Sequence, residues 1–354
     1  MKHAITLSGG GAYGAFEVGV LKALMCGLAT VTEGEALDPE IFTGTSAGAY
    51  ISAVLLSIET TDPAERVRHL ERIWMEQVMD SPGRGGNGVY FLRGDPRRYL
   101  DPVWLAKFPV GPLRLAAQDV RFFASDMLTR FAAVATGGEP IDRKALELFD
   151  LSELVSTEPF RELVKRTVSV ETIQNSNRLI RIAATNWKTG ELVTFDKADI
   201  THDAVLASAA IPGIFPAVQI KGVPYMDGGI LMNTPLKAAI DLGADVIHVI
   251  ALDRDIQNVP PASQPNTLDT IERLLNITNS SRIETDLKLA AAVNRGLTND
   301  SDHRKIKIHV YRPEVDMGGV FGMLNFSGNR MRQMINDGVE EAVNHDCSSN
   351  GCVV

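Results

Sequence analysis

The stretch LSGGGAYGAFEVGVLKAL, residues 7–24, decides the fold. It continues a short apolar run, HAITLS (3–8), passes through a cluster of glycines and ends with the apolar spacing of a helix. Gly9, Gly11 and Gly14 form the pattern G-x-G-x-x-G, which between a strand and a helix is typical of loops whose backbone N–H groups bind negative charge. The order of strand, glycine loop and helix predicts an α/β protein, and the charge could belong to a pyrophosphate or to another group.

The same order occurs again in EIFTGTSAGAYISAVLLS, residues 40–57. A short predicted strand leads into GTSAG (44–48), and an apolar helix follows. Ser46 is the centre of this G-x-S-x-G pattern, which exposes a serine hydroxyl on a tight turn at the N-terminus of a helix. Small residues around one serine also occur at ordinary turns, so this motif needs support from elsewhere in the chain.

A nucleophilic serine needs a base to take its proton. His248 and His309 lie inside predicted strands, where packed histidines are common, and no other histidine stands out as a base. The stretch YMDGG (225–229) offers a carboxylate instead, since Asp227 follows a short predicted strand and precedes two glycines that leave it uncrowded. A buried aspartate can accept the proton of a serine directly, although D-G-G alone is also a common turn.

Together, these motifs resemble those of the patatin-like phospholipases, a family of lipid acyl hydrolases with a Ser-Asp dyad. The resemblance extends from residue 5 to about residue 250. The matching segments are GGGAYG (9–14), GTSAG (44–48), SAAIPGIFP (208–216), DGG (227–229) and the N-x-P of Asn233 and Pro235. One position departs from the family, because Tyr13 stands where members often carry arginine or lysine. That substitution puts in doubt any help from a cation in the loop.

The resemblance implies a role for each matched residue. Ser46 would be the nucleophile that takes the acyl group, and Asp227 the base that activates first Ser46 and then water. Backbone N–H groups would form the oxyanion hole at Gly9, Gly10, Gly11 and Ala47. Glycines that support the turns of the motifs would be Gly14, Gly44, Gly48, Gly228 and Gly229. The family's reaction implies no metal and no cofactor.

Three alternatives remain open at this point. A nucleotide site would explain the glycine loop, and Glu33 and Glu35 lie near the distance expected for its ribose-binding acid, but it leaves GTSAG and DGG unexplained. A Ser-His-Asp carboxylesterase would use His248 or His309 as the base. A non-catalytic lipid-binding or scaffolding protein on the same fold would need none of these groups to react.

Composition limits the class of protein and its partners. The 354 residues carry a formal net charge of −9, with 45% hydrophobic residues. An acidic chain is a poor partner for nucleic acid, which rewards clustered lysine and arginine. The resemblance implies a phospholipid or lysophospholipid substrate and peripheral contact with a membrane, and, as for some members of the family, an activator of unknown identity.

The cysteines indicate a reducing compartment. Cys26, Cys347 and Cys352 are too few, and odd in number, for a disulfide framework. Their spacing matches no metal site, and the final residues GCVV (351–354) are expected to fray. No signal peptide is visible, and no run of 18 or more apolar residues free of charge suggests a membrane span. We therefore expect a cytoplasmic protein, with peripheral membrane contact.

The order of predicted elements indicates one domain over residues 1–354. We expect a three-layer α/β/α patatin-like fold with a central, mostly parallel sheet. A mostly helical insertion is predicted at about 80–165, and a C-terminal helical extension at about 266–345. Within the insertion, segment 90–123 mixes aromatic residues, leucine and arginine with little acid. It would either cover the site as a membrane-facing lid or pack onto the core.

Overall fold

The computed structural model describes residues 1–80, 86–93, 155–253, 267–296, 305–315 and 317–353, with residues 106, 116, 117 and 119–121 between them. Most of the predicted insertion at 80–165 lies outside the described residues, as does most of the segment 90–123 predicted as a lid or packing surface. The single-domain organisation stays a prediction.

The central layer is a sheet of eight strands within the described residues. From one edge to the other the order is β10-β9-β1-β2-β5-β8-β7, and β6 also pairs with β5. The first five strands of this order run parallel to their neighbours, whereas β6, β7 and β8 pair in the antiparallel sense. This confirms the central, mostly parallel sheet. The strands are β1 His3–Leu7, β2 Ile41–Thr45, β5 Leu179–Asn186, β6 Leu192–Asp196, β7 Val218–Ile220, β8 Val223–Asp227, β9 Val246–Ile250 and β10 Lys307–Tyr311, and a separate pair is β3 Phe91–Leu92 with β4 Val155–Ser156.

Helices cover both faces of the sheet. Alternate residues of β1 show this division, since Ile5 and Leu7 belong to the larger hydrophobic cluster and Ala4 to the smaller one on the other face. The larger cluster is formed with α1, α2, α3 and α10, and the smaller one with α7 and α8. The α-helices of the described residues are α1 Gly14–Met25, α2 Ala47–Ser57, α3 Pro63–Ile73, α4 Glu158–Thr167, α5 Val170–Asn175, α6 His202–Ser208, α7 Leu236–Asp241, α8 Thr267–Gly296, α9 Gly319–Met323, α10 Gly328–Val343 and α11 Cys347–Asn350.

Strand register brings the sequence motifs together at the carboxyl ends of the parallel strands. Leu7 of β1 pairs with Gly44 of β2 on one side and with Ile250 of β9 on the other. The glycine loop, the serine turn and the segment after β9 therefore all begin at the same end of the sheet, where these parallel strands terminate. In parallel sheets, the carboxyl ends of the strands are where ligands usually bind.

Helix α10 lies close against α1, and glycines allow the approach. A methyl group on Gly19 would lie 3.0 Å from the Cα of Gly338, and one on Gly338 would lie 3.0 Å from the backbone nitrogen of Val20. The closing helix predicted near the end of the chain is thus a packing partner of the helix that follows the glycine loop.

By length and composition alone, the helical stretch Gly11–Thr32 could cross a membrane. In the fold, 67% of its apolar window is buried. Within this stretch, α1 carries a nearly continuous series of buried residues and contributes to the larger cluster. This burial indicates a core helix, because soluble proteins with a large core contain helices of the same apolar composition.

Residues 346–353, called the tail below, are held in place by hydrogen bonds, so the prediction that GCVV frays was wrong for its described residues. Asp346 caps α11 by accepting a 3.0 Å hydrogen bond from the N–H of Ser348. Val353 and Ile308 then exchange two backbone hydrogen bonds of 2.7 and 2.9 Å. A capped turn followed by a strand-like pairing gives the tail partners that its sequence alone did not reveal.

Candidate active site

Ser46 occupies a strained turn between β2 and α2. Its φ is +54° and its ψ −118°, a conformation that residues other than glycine rarely adopt. The backbone N–H of Ser46 donates to Oγ of Ser208 at 3.0 Å, and that hydroxyl donates to the carbonyl oxygen of Ala183 at 2.6 Å. These contacts fix the turn and leave the serine side chain at the N-terminus of α2, as in a nucleophile elbow.

Close packing explains the small residues around this turn. A methyl group on Gly48 would lie 2.6 Å from the carbonyl oxygen of Leu7, and one on Gly44 would lie 2.7 Å from the backbone nitrogen of Ala49. A methyl group on Gly14 would lie 3.2 Å from Cβ of Ala47. Larger side chains here would push α2 away from the sheet.

Asp227 lies at the end of β8 and faces Ser46. Its carboxylate accepts a 2.7 Å hydrogen bond from the N–H of Gly229, and the Ser46 hydroxyl lies close enough to favour the ionised carboxylate. Burial raises the pKa of Asp227 from 3.8 to about 6, against the opposing effect of these two polar neighbours. Gly228 is needed for this approach, since a methyl group there would lie 2.9 Å from Cβ of Ala183.

The glycine loop approaches the serine from the other side. The N–H of Gly9 donates to the carbonyl oxygen of Asn233 at 3.1 Å, so it is already used and does not fit the oxyanion role predicted for it. Among the described residues, the N–H groups of Gly10, Gly11 and Ala47 have no hydrogen-bond acceptor. These three are the remaining candidates for an oxyanion hole.

Asn233 and Asp253 support the glycine loop through a chain of hydrogen bonds. The side-chain Nδ2 of Asn233 donates to the carbonyl oxygen of Gly9 at 3.2 Å and to Oδ2 of Asp253 at 2.8 Å. Asp253 follows β9, and burial raises its pKa to about 6. In the sequence, Asn233 stands out only as part of a motif, and Asp253 is not recognisable as a site residue. The position of Asp253 just after a buried parallel strand was the signal available.

An apolar pocket opens beside Ser46. Its walls come from α2, from the region around Trp74, from α4 and from the segment before α10. It is lined by Gly11, Ser46, Ala47, Tyr50, Trp74, Val78, Val89, Phe160, Ala209, Ile211, Phe215, Met323, Leu324 and Phe326. A hydrocarbon chain could therefore lie next to the serine hydroxyl without meeting a charged side chain.

A family model described as patatin-like phospholipase matches residues 5–240. The chain belongs to the patatin-like phospholipase family. The resemblance inferred from the motifs is thereby confirmed, and membership supports a lipid acyl hydrolase. Within this patatin-like chain, the matched region includes the glycine loop, the serine turn and Asp227.

Two solved structures are similar to this patatin-like protein. VipD from Legionella pneumophila is 14% identical, with 96% of this chain and 67% of that chain covered and a TM-score of 0.34. The type III effector protein ExoU is 15% identical, with 99% of this chain and 53% of that chain covered and a TM-score of 0.34. The chain spans between about half and two thirds of these two proteins.

The loop position that often carries a cation in patatin-like proteins has another cation beside it here. The Tyr13 hydroxyl donates to the carbonyl oxygen of Gly319. The guanidinium carbon of Arg330 lies 5.9 Å from the centre of the Tyr13 ring. A positive charge from α10 is therefore stacked on the side chain that replaces the usual basic residue.

The histidines considered as alternative bases lie elsewhere. His248 is buried in β9, where its Nδ1 lies 3.1 Å from the hydroxyl of Tyr311 and its ring stacks on His309. Burial lowers the pKa of His248 well below 6.5. Among the described residues, no histidine forms a hydrogen bond with Ser46 or Asp227. Within the described residues, the ionisable side chain beside Ser46 is therefore the carboxylate of Asp227.

Proposed function

We propose that this protein hydrolyses fatty acyl esters of phospholipids or lysophospholipids through an acyl-serine intermediate on Ser46. The observation that supports this most is the position of the Ser46 hydroxyl beside the buried carboxylate of Asp227, whose ionised form it favours. A carboxylate with a pKa of about 6 is deprotonated at neutral pH and still basic enough to assist proton transfer.

In acylation, Oγ of Ser46 attacks the carbonyl carbon of the ester while its proton moves to Asp227. The former carbonyl oxygen becomes an oxyanion, which accepts hydrogen bonds from the N–H groups of Gly10, Gly11 and Ala47. One such donor typically lowers the barrier by roughly 3–4 kcal/mol. The carbon–oxygen bond to the leaving alcohol then breaks, and that alcohol takes the proton from Asp227.

In deacylation, water takes the place of the leaving alcohol. Asp227 accepts a proton from the water as its oxygen attacks the acyl carbon, and the same N–H groups stabilise the second oxyanion. When the bond to Oγ breaks, Ser46 regains the proton and a fatty acid leaves. These steps use the side chains of the dyad and backbone donors, and they require no metal or cofactor.

The apolar lining of the pocket supports a fatty acyl chain, rather than a polar group, as the group transferred to Ser46. Phospholipids and lysophospholipids are found in bilayers and micelles. We therefore propose that the protein is cytoplasmic and contacts membranes peripherally. The proposal includes a small-molecule or protein activator. Such an activator would change the access of the lipid to the pocket beside Ser46.

The test measures fatty acid release from phosphatidylcholine vesicles and lysophosphatidylcholine micelles, together with labelling by a fluorophosphonate probe. The variants are Ser46→Ala and Asp227→Asn, with Ser52→Ala as a buried control in the same helix. We expect release and labelling by the wild type and the control, and neither from the two dyad variants, all with the same circular dichroism spectrum.

Other outcomes separate the alternatives. If Ser46 is labelled but no fatty acid is released, the protein does not hydrolyse these lipids without an activator. Ser46 would still be a reactive nucleophile. Absence of labelling would favour a non-catalytic lipid-binding protein. Loss of activity in a folded His248→Gln, His309→Gln double variant would favour the Ser-His-Asp carboxylesterase.

A further inference from the structure

Four side chains that commonly bind metals converge where the tail packs on the edge strand β10. His309 comes from β10, His345 from the turn after α10, and Cys347 and Cys352 from the two ends of the tail segment. One ligand atom from each residue lies within 4.8 Å of the ligand atoms of all the others. Sequence analysis predicted no metal site, since its fourth ligand is distant in the chain.

Three of the distances between these atoms are close to those of a tetrahedral site around one ion. Sγ of Cys347 lies 3.3 Å from Nδ1 of His309 and 3.5 Å from Nε2 of His345, and Sγ of Cys352 lies 3.4 Å from the same Nε2. Zinc bonds of about 2.3 Å to sulfur and about 2.0–2.1 Å to nitrogen, at tetrahedral angles, place ligand sulfur and nitrogen about 3.6 Å apart. The other pairs lie within 4.8 Å, so movements of up to about one ångström would complete the geometry.

The donor set selects a particular ion. Two thiolates and two neutral imidazoles balance the charge of a divalent cation and form the Cys2His2 combination of structural zinc sites. The cluster is also shielded from water, because His345 is buried and the other three residues are half-buried. Four protein ligands leave no open position, so the site would be structural rather than catalytic.

A second layer of contacts is available around His345. Nδ2 of Asn350 lies 3.1 Å from its Nδ1 and donates at 2.7 Å to Oε1 of Glu341, which is 3.9 Å from the same Nδ1. When Nε2 binds a metal, Nδ1 must carry the proton, and carboxylates are the usual acceptors for that proton in zinc sites. Glu341 could accept it once the Asn350 amide, whose nitrogen now faces Nδ1, moves aside.

We propose that His309, His345, Cys347 and Cys352 bind one Zn²⁺, which fastens the C-terminal tail to the edge of the sheet. The ion would link β10, the end of α10 and the residues just before Val353, which already pairs with Ile308. Two histidines around two cysteines favour a metal over a disulfide, because a disulfide would use neither imidazole.

The test is metal content of the full chain, purified under reducing conditions after growth with added zinc. We expect about one zinc per chain, at least about a fivefold loss of zinc in Cys347→Ser and Cys352→Ser, and no loss in Cys26→Ser. Cys26 is the matched control, being a half-buried cysteine with no place in the cluster. Chelation should also lower the melting temperature of the wild type by about 5 °C or more.

Cobalt provides a measurement that does not depend on the variants folding. Titration of the metal-free wild type with Co²⁺ should give the strong visible absorption of a tetrahedral thiolate complex, and zinc should abolish it. A reduced wild-type chain that takes up neither metal in stoichiometric amount would overturn the proposal. So would zinc that persists in both Cys347→Ser and Cys352→Ser, or a Cys347–Cys352 disulfide whose reduction restores no metal binding.

Discussion

The backbone N–H of Ser46 donates a 3.0 Å hydrogen bond to the side-chain oxygen of Ser208. Ser208 ends α6 and begins the segment SAAIPGIFP, and its own proton goes to the carbonyl oxygen of Ala183 in β5. This one hydroxyl therefore connects the strained turn of the nucleophile to the middle of the sheet.

Replacing Ser208 by alanine should lower kcat about tenfold with little change in KM. The change leaves a buried N–H and a buried carbonyl without partners, which typically costs about 1–3 kcal/mol of unfolding free energy. Steady-state fatty acid release and thermal unfolding would measure the two effects. Ser52→Ala is the matched control, because the Ser52 hydroxyl is buried without a partner among the described residues. A Ser208→Ala variant with wild-type kcat would show that the contact does not position Ser46.

Activity should fall in acid. A base with a pKa of about 6 is protonated below that pH, so kcat/KM should drop about tenfold per pH unit on the acid side. The pKa of Asp253 is also raised to about 6, which makes Asp253→Asn the necessary comparison. If that variant keeps the acid limb of the profile, the limb belongs to Asp227. Disappearance of the limb in Asp253→Asn would assign it to the loop support instead.

Asp227→Asn should be inactive and yet more stable than the wild type at pH 8. The folded-state pKa of about 6 lies above the ordinary 3.8, so the folded state disfavours the ionised carboxyl. This cost appears as the pH rises from 3.8 to 6 and is fully present above that range. At about 1.4 kcal/mol per pKa unit, its removal gains at most roughly 3 kcal/mol. Urea unfolding at pH 8 and pH 3 would test this, with no gain expected at pH 3. A variant that is less stable at pH 8 would contradict the burial argument.

Gly9→Ala should reduce activity about 100-fold, since small displacements of reacting groups are costly. A methyl group there would lie 2.6 Å from Oδ1 of Asn233 and 3.0 Å from Cβ of Ser46. Either the serine or the asparagine that supports the loop must move. Fluorophosphonate labelling rates would report the effect on the nucleophile directly. Gly296→Ala is a suitable control, because nothing lies within 4 Å of the added methyl group, and equal labelling of both variants would refute the steric argument.

The sequence predicted the parts of the site that are local. Strand, loop and helix signals identified the turn at Ser46 and the position of Asp227 because each motif carries its own turn chemistry. The use of the Gly9 N–H by Asn233 was missed, and so was the role of Asp253. Both depend on how segments distant in the chain meet at the carboxyl ends of the parallel strands. Such contacts are set by strand order, which local patterns do not specify.

The end of the chain illustrates the same difference. Its short polar tail contains no extended hydrophobic pattern, so fraying was the natural expectation. The tail is held by a cap at Asp346 and by pairing of Val353 with β10. The metal-ligand pattern was invisible for a related reason, since His309 lies on a strand far from the two cysteines in the sequence.

The position of β9 has a consequence for where the chain can be cut. The family match ends at residue 240, yet β9 (Val246–Ile250) is the immediate neighbour of β1 in the sheet. A fragment trimmed to the matched region would turn β1 into an open edge of unpaired backbone groups, a surface prone to pairing with other copies. It would also uncover the side of α1 against which α10 packs. The segment that carries the recognisable motifs is therefore shorter than the segment needed to keep β1 paired and α1 covered.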